Sequence, residues 1–274
     1  MNYLKYPPVL YPTNMKTSFL SKREENEYNL TKKIMPNEWI WHSRDIIYSF
    51  NELGHREIPF SSVDPSKTIA VIGCSHVMGT GNKAEDTISK NLSSIMGMPT
   101  YNAGQAGADN QIILHNALWA IQQGFHTVIV MWTELFRHFL YGDNYNSKIF
   151  QVFHIDTDEY KKYFTPDYML DNPHLELRLD LFRETLKGFP NVYLFDYFLQ
   201  NTEDTTRLWK HNIWDKFDYN ELGTMSGCIN YPNLTNKIWA SDLAPRPNDG
   251  KVAHYGPYVN LEIAKDIHNK IKGV

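Results

Sequence analysis

A chain of 274 residues, 42% of them hydrophobic, is long enough to bury a substantial core as one decorated domain. Its net charge of −4 argues against nonspecific nucleic-acid binding, which draws its affinity from clustered Lys and Arg. Two cysteines, Cys74 and Cys228, are too few for a disulfide framework and allow a reducing compartment. The first residues lack the apolar run of a secretion signal, and no stretch is long and apolar enough to span a bilayer, so the sequence predicts a soluble protein made in a cytoplasm, with no membrane partner.

Residues 1–65 form a prelude of Tyr, Pro and charged residues with little periodicity, expected to be an arm or appendage packed on a main domain spanning 66–274. Within it, Trp39-Ile40-Trp41 and Ile46 to Phe50 suggest short strands or an extended arm. From Thr68 the pattern becomes β-α-β-α. The apolar, β-branched run Thr68 to Ile72 predicts a buried strand, and Gly73-Cys74-Ser75-His76 predicts the tight turn leaving it. A helix near 86–96 carries Ile88, Leu92, Ile95 and Met96 on one face and stops at Gly97; a short strand over 99–102 runs into Asn102-Ala103-Gly104-Gln105-Ala106-Gly107. A helix over about 109–123 follows, capped by Asp109 or Asn110, bearing Ile112, Ile113, Ala117, Ala120 and Ile121, and ended by Gly124. The strand Thr127 to Met131 is nearly all apolar, as a strand covered on both faces should be. This alternation predicts an α/β fold with a mostly parallel sheet.

The aromatic and polar stretch at about 137–172 reads as an insertion or lid over the sheet edge. A helix over 173–188 and a strand over 192–195 come next, with Asp196 expected to end that strand at the same edge as Ser75. Between 200 and 245, Trp209, Trp214, Phe217, Tyr219 and Trp239 among polar residues suit either a sugar- or peptide-lined groove or ordinary loop packing. A last helix begins after Gly256-Pro257 and is expected to bury Leu261, Ala264, Ile267 and Ile271.

Two stretches carry the chemistry. Ser75 sits at the carboxyl edge of a predicted parallel sheet, where loops vary while the strands behind them stay rigid. Far downstream, Asp249 and His254 share one loop, and a weak serine nucleophile requires an imidazole base oriented by an acid. Asp249 also lies in the turn signal Asn248-Asp249-Gly250, leaving Asp242 as a reserve acid. Cys74 is the alternative nucleophile, although adjacent residues leaving a strand point to opposite sides. The histidines His76, His115, His126 and His138 lack metal-ligand spacing, so no metal site is expected. No cofactor is expected either. Gly79-Thr80-Gly81-Asn82-Lys83-Ala84 fits G-x-G-x-x-A only formally, because it comes several residues after its strand and the second strand ends without a ribose-binding acid.

Gly73-Cys74-Ser75 with Gly79, Asn102 to Gly107, and the Asp249 to His254 loop together resemble the first, second and last blocks of the SGNH (GDSL-like) hydrolases. Asn51-x-x-Gly54-x-Arg56 is similar to a lead-in found in a subset of these proteins, many from phages and bacteria. The resemblance implies a flavodoxin-like three-layer α/β fold and a serine esterase with Ser75 as nucleophile, His254 as base and Asp249 as orienting acid. It further implies an oxyanion hole from the N–H groups of Ser75 and Gly107, with Gly104 as the alternative glycine. The family's third block normally supplies an asparagine, but Met131-Trp132-Thr133-Glu134 has none, so a third donor is sought from Thr133 or Asn110. The acid also stands five residues before the histidine rather than three. The implied partner is a small-molecule or carbohydrate ester, with an O-acetylated sugar or a short acyl ester as substrate. The alternative is a weak or inactive relative serving as a carbohydrate-binding or structural protein, for instance a virion-associated one.

Overall fold

The computed structural model describes residues 12–133, 135, 138–141, 150–153, 173–189, 193–198 and 254–273. Its first part contains a helix that the sequence reading did not anticipate. α1 spans Lys22–Ile34, and Ser21 caps it by accepting from the Glu24 N–H at 3.1 Å, while the Glu24 carboxylate reaches back to the Leu20 N–H at 2.6 Å. This is a shifted form of the reciprocal capping box. The residues α1 buries are Glu24, Tyr28 and Thr31, a stripe with the right spacing but too polar to register as hydrophobic periodicity. β1 (Lys16–Thr17) pairs antiparallel with β2 (Tyr48–Ser49). Around Trp39 to Trp41 the chain is not a strand: Ile40–His42 forms a 3-10 turn with Trp39 and Trp41 both buried.

The main sheet follows: β3 (Ile69–Ile72), α2 (Ser75–Met78), α3 (Ile88–Met96), β4 (Thr100–Asn102), α4 (Asn110–Gln122) and β5 (Thr127–Trp132). β6 (His138–Tyr141) and β7 (Phe150–Phe153) pair antiparallel inside the predicted insertion. α5 (Pro173–Lys187), β8 (Tyr193–Phe198) and α6 (Pro257–Lys272) complete the described elements. The four central strands are parallel, in the order β4-β3-β5-β8. Right-handed crossovers then place α3 on one face, where it packs with α6, and α4 on the other, where it packs with α5. The result is the three-layer, flavodoxin-like arrangement. Its strand order reverses between β3 and β5, and the carboxyl ends of strands at such a reversal are where open α/β sheets bind ligands.

Several boundaries differ from expectation. α3 starts at Ile88 after a Thr87 cap and buries Ile88 and Leu92, leaving Ile95 and Met96 half-buried. β8 runs on to Phe198, so Asp196 lies inside the strand opposite Val130 instead of at its edge. α6 is rotated from the predicted face: it buries Val259, Ile263, Ala264 and Ile267, with Leu261 and Ile271 half-buried. The rotation accompanies the burial of Asn260, whose amide donates to Asp86 O at 3.0 Å. Residues 142–149 and 154–172 of the insertion, and the aromatic stretch 200–245, lie outside the described residues. Tyr28, Trp39, Trp41, Tyr48 and Phe50 join the sheet residues in one continuous apolar cluster. Among the described residues, no helix is long and apolar enough to cross a membrane.

Candidate active site

β3 is buried along its whole length and delivers the chain to a turn with no spare room. A Cβ on Gly73 would lie 2.9 Å from Met131 O and 2.5 Å from a Val77 methyl. Cys74 follows, fully buried, and Ser75 opens α2 with 6% of its surface exposed. The Cys74 thiol is thus in the core, while Ser75 keeps a small exposed surface. α2 is a single turn ended by Gly79 at φ 79°, a left-handed conformation that suits glycine.

The second loop is fastened onto that turn. Ala103 N–H donates to Val71 O at 2.9 Å, Gln105 N–H to Gly73 O at 3.0 Å, and the Asn102 amide to Val77 O at 2.8 Å. Gly104 sits so close that a Cβ there would lie 2.4 Å from Met78 N. The Gly104 N–H is already bonded to Asn102 Oδ1 at 3.0 Å, which removes it as the alternative oxyanion donor. Gly107 takes φ 80°, and among the described residues no acceptor takes its N–H or that of Ser75.

Asn110 and Thr133 face one another across the strand-order reversal. The Asn110 amide donates to Thr133 O at 3.0 Å and its Oδ1 accepts from Thr133 N–H at 2.8 Å. Thr133 is thus not an open main-chain donor, because its N–H is already engaged. Asn110 Nδ2 keeps a second hydrogen. Asp109, not Asn110, caps α4, accepting from Gln111 N–H and Ile112 N–H, so the Asn110 side chain is not used at the helix start.

His254 comes from the far end of the chain to the same place. Its ring centroid lies 4.8 Å from that of His76, the residue after Ser75, and the His76 ring packs on Tyr255 at 4.1 Å. Tyr255 is pinned through its carbonyl, which accepts from the Asn82 amide at 2.8 Å. His254 is therefore brought against His76, the residue after Ser75, on the turn to which the Asn102 to Gln105 loop is fastened. Asp249 and Asp242 lie outside the described residues, and among those residues no group of three His, Cys, Asp or Glu side chains could hold a metal ion.

Composition and spacing missed the role of the lead-in. Asn51 closes its own turn, accepting from the Leu53 and His55 N–H groups at 3.0 Å and donating to Ile58 O and Tyr101 Oη at 2.9 Å, while Gly54 takes φ 72°. His55 contacts Tyr101 Oη through Nδ1 at 2.9 Å, and burial pushes its pKa down to about 3. Arg56 is buried, and its guanidinium takes Gly79 O at 2.6 Å, Asn82 O at 2.8 Å, and Met78 O and Ile47 O at 3.3 Å. The signal was present as the motif, but its acceptors are carbonyls that no spacing could reveal.

No family model matches this sequence, and no curated protein matches it. Among solved structures, it is similar to a protein of Desulfitobacterium hafniense DCB-2 assigned to the G-D-S-L lipolytic family. That similarity covers 73% of this chain and 99% of the other, at 12% identity and a TM-score of 0.38. A likeness of that size transfers no residue roles.

Proposed function

We propose that this protein is a serine ester hydrolase of the SGNH type, with Ser75 as nucleophile and His254 as base. The observation that carries the reading is the meeting of His254 with His76, directly beside Ser75, at the carboxyl edge of the sheet. Ser75 Oγ attacks the ester carbonyl carbon as a ring nitrogen of His254 takes its proton. The N–H groups of Ser75 and Gly107 hold the oxyanion, with the second Asn110 Nδ2 hydrogen in the place of the missing third-block asparagine. Collapse expels the alcohol, which takes the proton back from His254. A water molecule, deprotonated by His254, then hydrolyses the acyl-enzyme. Asp249 is proposed to orient the imidazole, and an O-acetylated carbohydrate or short acyl ester is the proposed substrate class.

The engaged Thr133 N–H favours one competing reading, a weak or inactive relative that binds carbohydrate, since it leaves the oxyanion with fewer open donors. Labelling with a fluorophosphonate probe decides between them. The hydrolase reading expects the wild-type chain to label and Ser75→Ala not to; an unlabelled wild type supports the binding protein. A panel of short-chain aryl esters and acetylated sugars, with Ser75→Ala as blank, then identifies the acyl group.

A further inference from the structure

The N-terminal segment reaches the nucleophile turn at a point that the hydrolase reading leaves unused. α2 is one turn long, so it cannot satisfy its own last carbonyls. Gly79 N–H and Thr80 N–H both turn back to Ser75 O, at 3.0 and 3.1 Å, which leaves Met78 O with no backbone donor among the described residues and Gly79 O with the Asn82 N–H at 3.1 Å, so that both oxygens can take further donors. Arg56 supplies them. Its guanidinium bridges Met78 O and Gly79 O through Nη1 and Asn82 O through Nη2, a span that the fork of five N–H donors allows and the single nitrogen of an ammonium does not match. Among the described residues no carboxylate pairs with Arg56; its charge is met by these carbonyls and by the Tyr48 ring, 4.5 Å from the guanidinium carbon.

Tyr48 makes a second tie to the same loop. Its hydroxyl accepts from Gly81 N–H at 2.8 Å and donates to Glu24 Oε1 at 2.8 Å, and Glu24 is itself bonded to Arg44 Nη2 at 2.7 Å. A line of directional bonds thus runs from α1 through Tyr48 to residues 79–82, immediately behind α2.

We infer that Arg56 is a positioning residue for Ser75: by gathering the carbonyls of Met78, Gly79 and Asn82, it fixes the one-turn helix whose first residue is the nucleophile. On this view the segment before β3 is part of the working site. The inference rests on the proposed hydrolase function for its kinetic consequence, though not for its structural one.

The test pairs fluorophosphonate labelling with amide hydrogen exchange on the full-length chain. In Arg56→Met, the maximal rate of Ser75 labelling falls by roughly tenfold or more, because a slightly misplaced nucleophile loses its attack geometry, while the half-saturating probe concentration stays put. Exchange rises across 75–82 and is unchanged across 127–132. Arg56→Lys recovers less than half of the lost rate. Unchanged exchange at 75–82, a labelling rate within about twofold of wild type, full recovery with lysine, or a loss confined to the half-saturating concentration overturns the inference. If Arg56→Met does not fold, Tyr48→Phe gives the same reading on a smaller scale, roughly fivefold, because it keeps the ring and removes one hydrogen-bonding hydroxyl. A wild type that does not label sinks the hydrolase reading instead, and the exchange comparison alone then decides whether Arg56 holds the turn.

Discussion

Strands β3 and β5 of the central sheet bury only apolar side chains, whereas the segment before them adds a buried polar network to the apolar side chains it contributes to the core. From Ile69 to Ile72 and from Val128 to Trp132 every side chain is apolar and buried, so these strands are held by packing that has no preferred direction. Between residues 24 and 56 the buried set includes Glu24, Tyr48, Asn51, His55 and Arg56, each tied to named partners. Apolar packing tolerates small shifts, whereas a buried polar network either meets its geometry or costs free energy. The contrast indicates what each region is for: the sheet provides a rigid platform, and the preceding segment sets the position of one loop upon it.

Breaking the ion pair that is most buried among the described residues should produce the largest effect. Glu24 Oε1 and Arg44 Nη2 lie 2.7 Å apart with side-chain exposures of 8% and 3%. Removing one partner strands the other, and Arg44→Met is expected to cost about 3–5 kcal/mol. Thermal and urea unfolding measure it. The double variant Glu24→Leu with Arg44→Met should recover much of that loss, because nothing charged is left unpaired. A double variant as unstable as the single one would show that the segment depends on packing after all, and the comparison would fail.

That division also explains how much the sequence disclosed. Strands β3 and β5 and helix α4 were legible because their burial is written as runs and periods of apolar residues. α1 was not, since its inward stripe is Glu24, Tyr28 and Thr31, although Ser21 three residues before Glu24 was a start signal that could have been read. In the candidate site, Ser75 was singled out by its place after a strand, Gly107 by the family resemblance, and Asn110 as a candidate third donor beside Thr133. His76 and Tyr255 were not, because a ring contact between residues so far apart in sequence belongs to tertiary structure alone. Arg56 stood in a motif with no mechanism attached, since a guanidinium bound to backbone carbonyls has no complementary residue type to search for.

Acid should separate the two regions more gently. His55 has a pKa near 3 in the fold, set by burial, against 6.5 when exposed. Between those values the unfolded chain binds more protons, so stability from this residue is complete above about pH 6.5 and is lost as the pH falls, by about 1.4 kcal/mol per unit. His55→Phe removes this dependence. Comparing urea midpoints at pH 7 and pH 5, the wild type should lose about 2 kcal/mol more than the variant. Equal losses would mean that His55 becomes charged within the fold, and that the segment is less tightly closed than its hydrogen bonds imply.

The smallest expected effect is on the apolar side, and it sharpens the comparison most. Ile72 is fully buried at the end of β3, three residues before Ser75. Ile72→Val deletes one methyl group and should cost about 1 kcal/mol of stability. Because the lost contacts have no direction, the turn should keep its position, and the rate of Ser75 labelling and the exchange of residues 75–82 should stay at wild-type values. Tyr48→Phe should do the reverse, with a similar cost in stability but a slower nucleophile and a faster-exchanging loop. If Ile72→Val slowed labelling as much as Tyr48→Phe, the position of Ser75 would be set by the strand beneath it, and the directional bonds from the preceding segment would be redundant for the site.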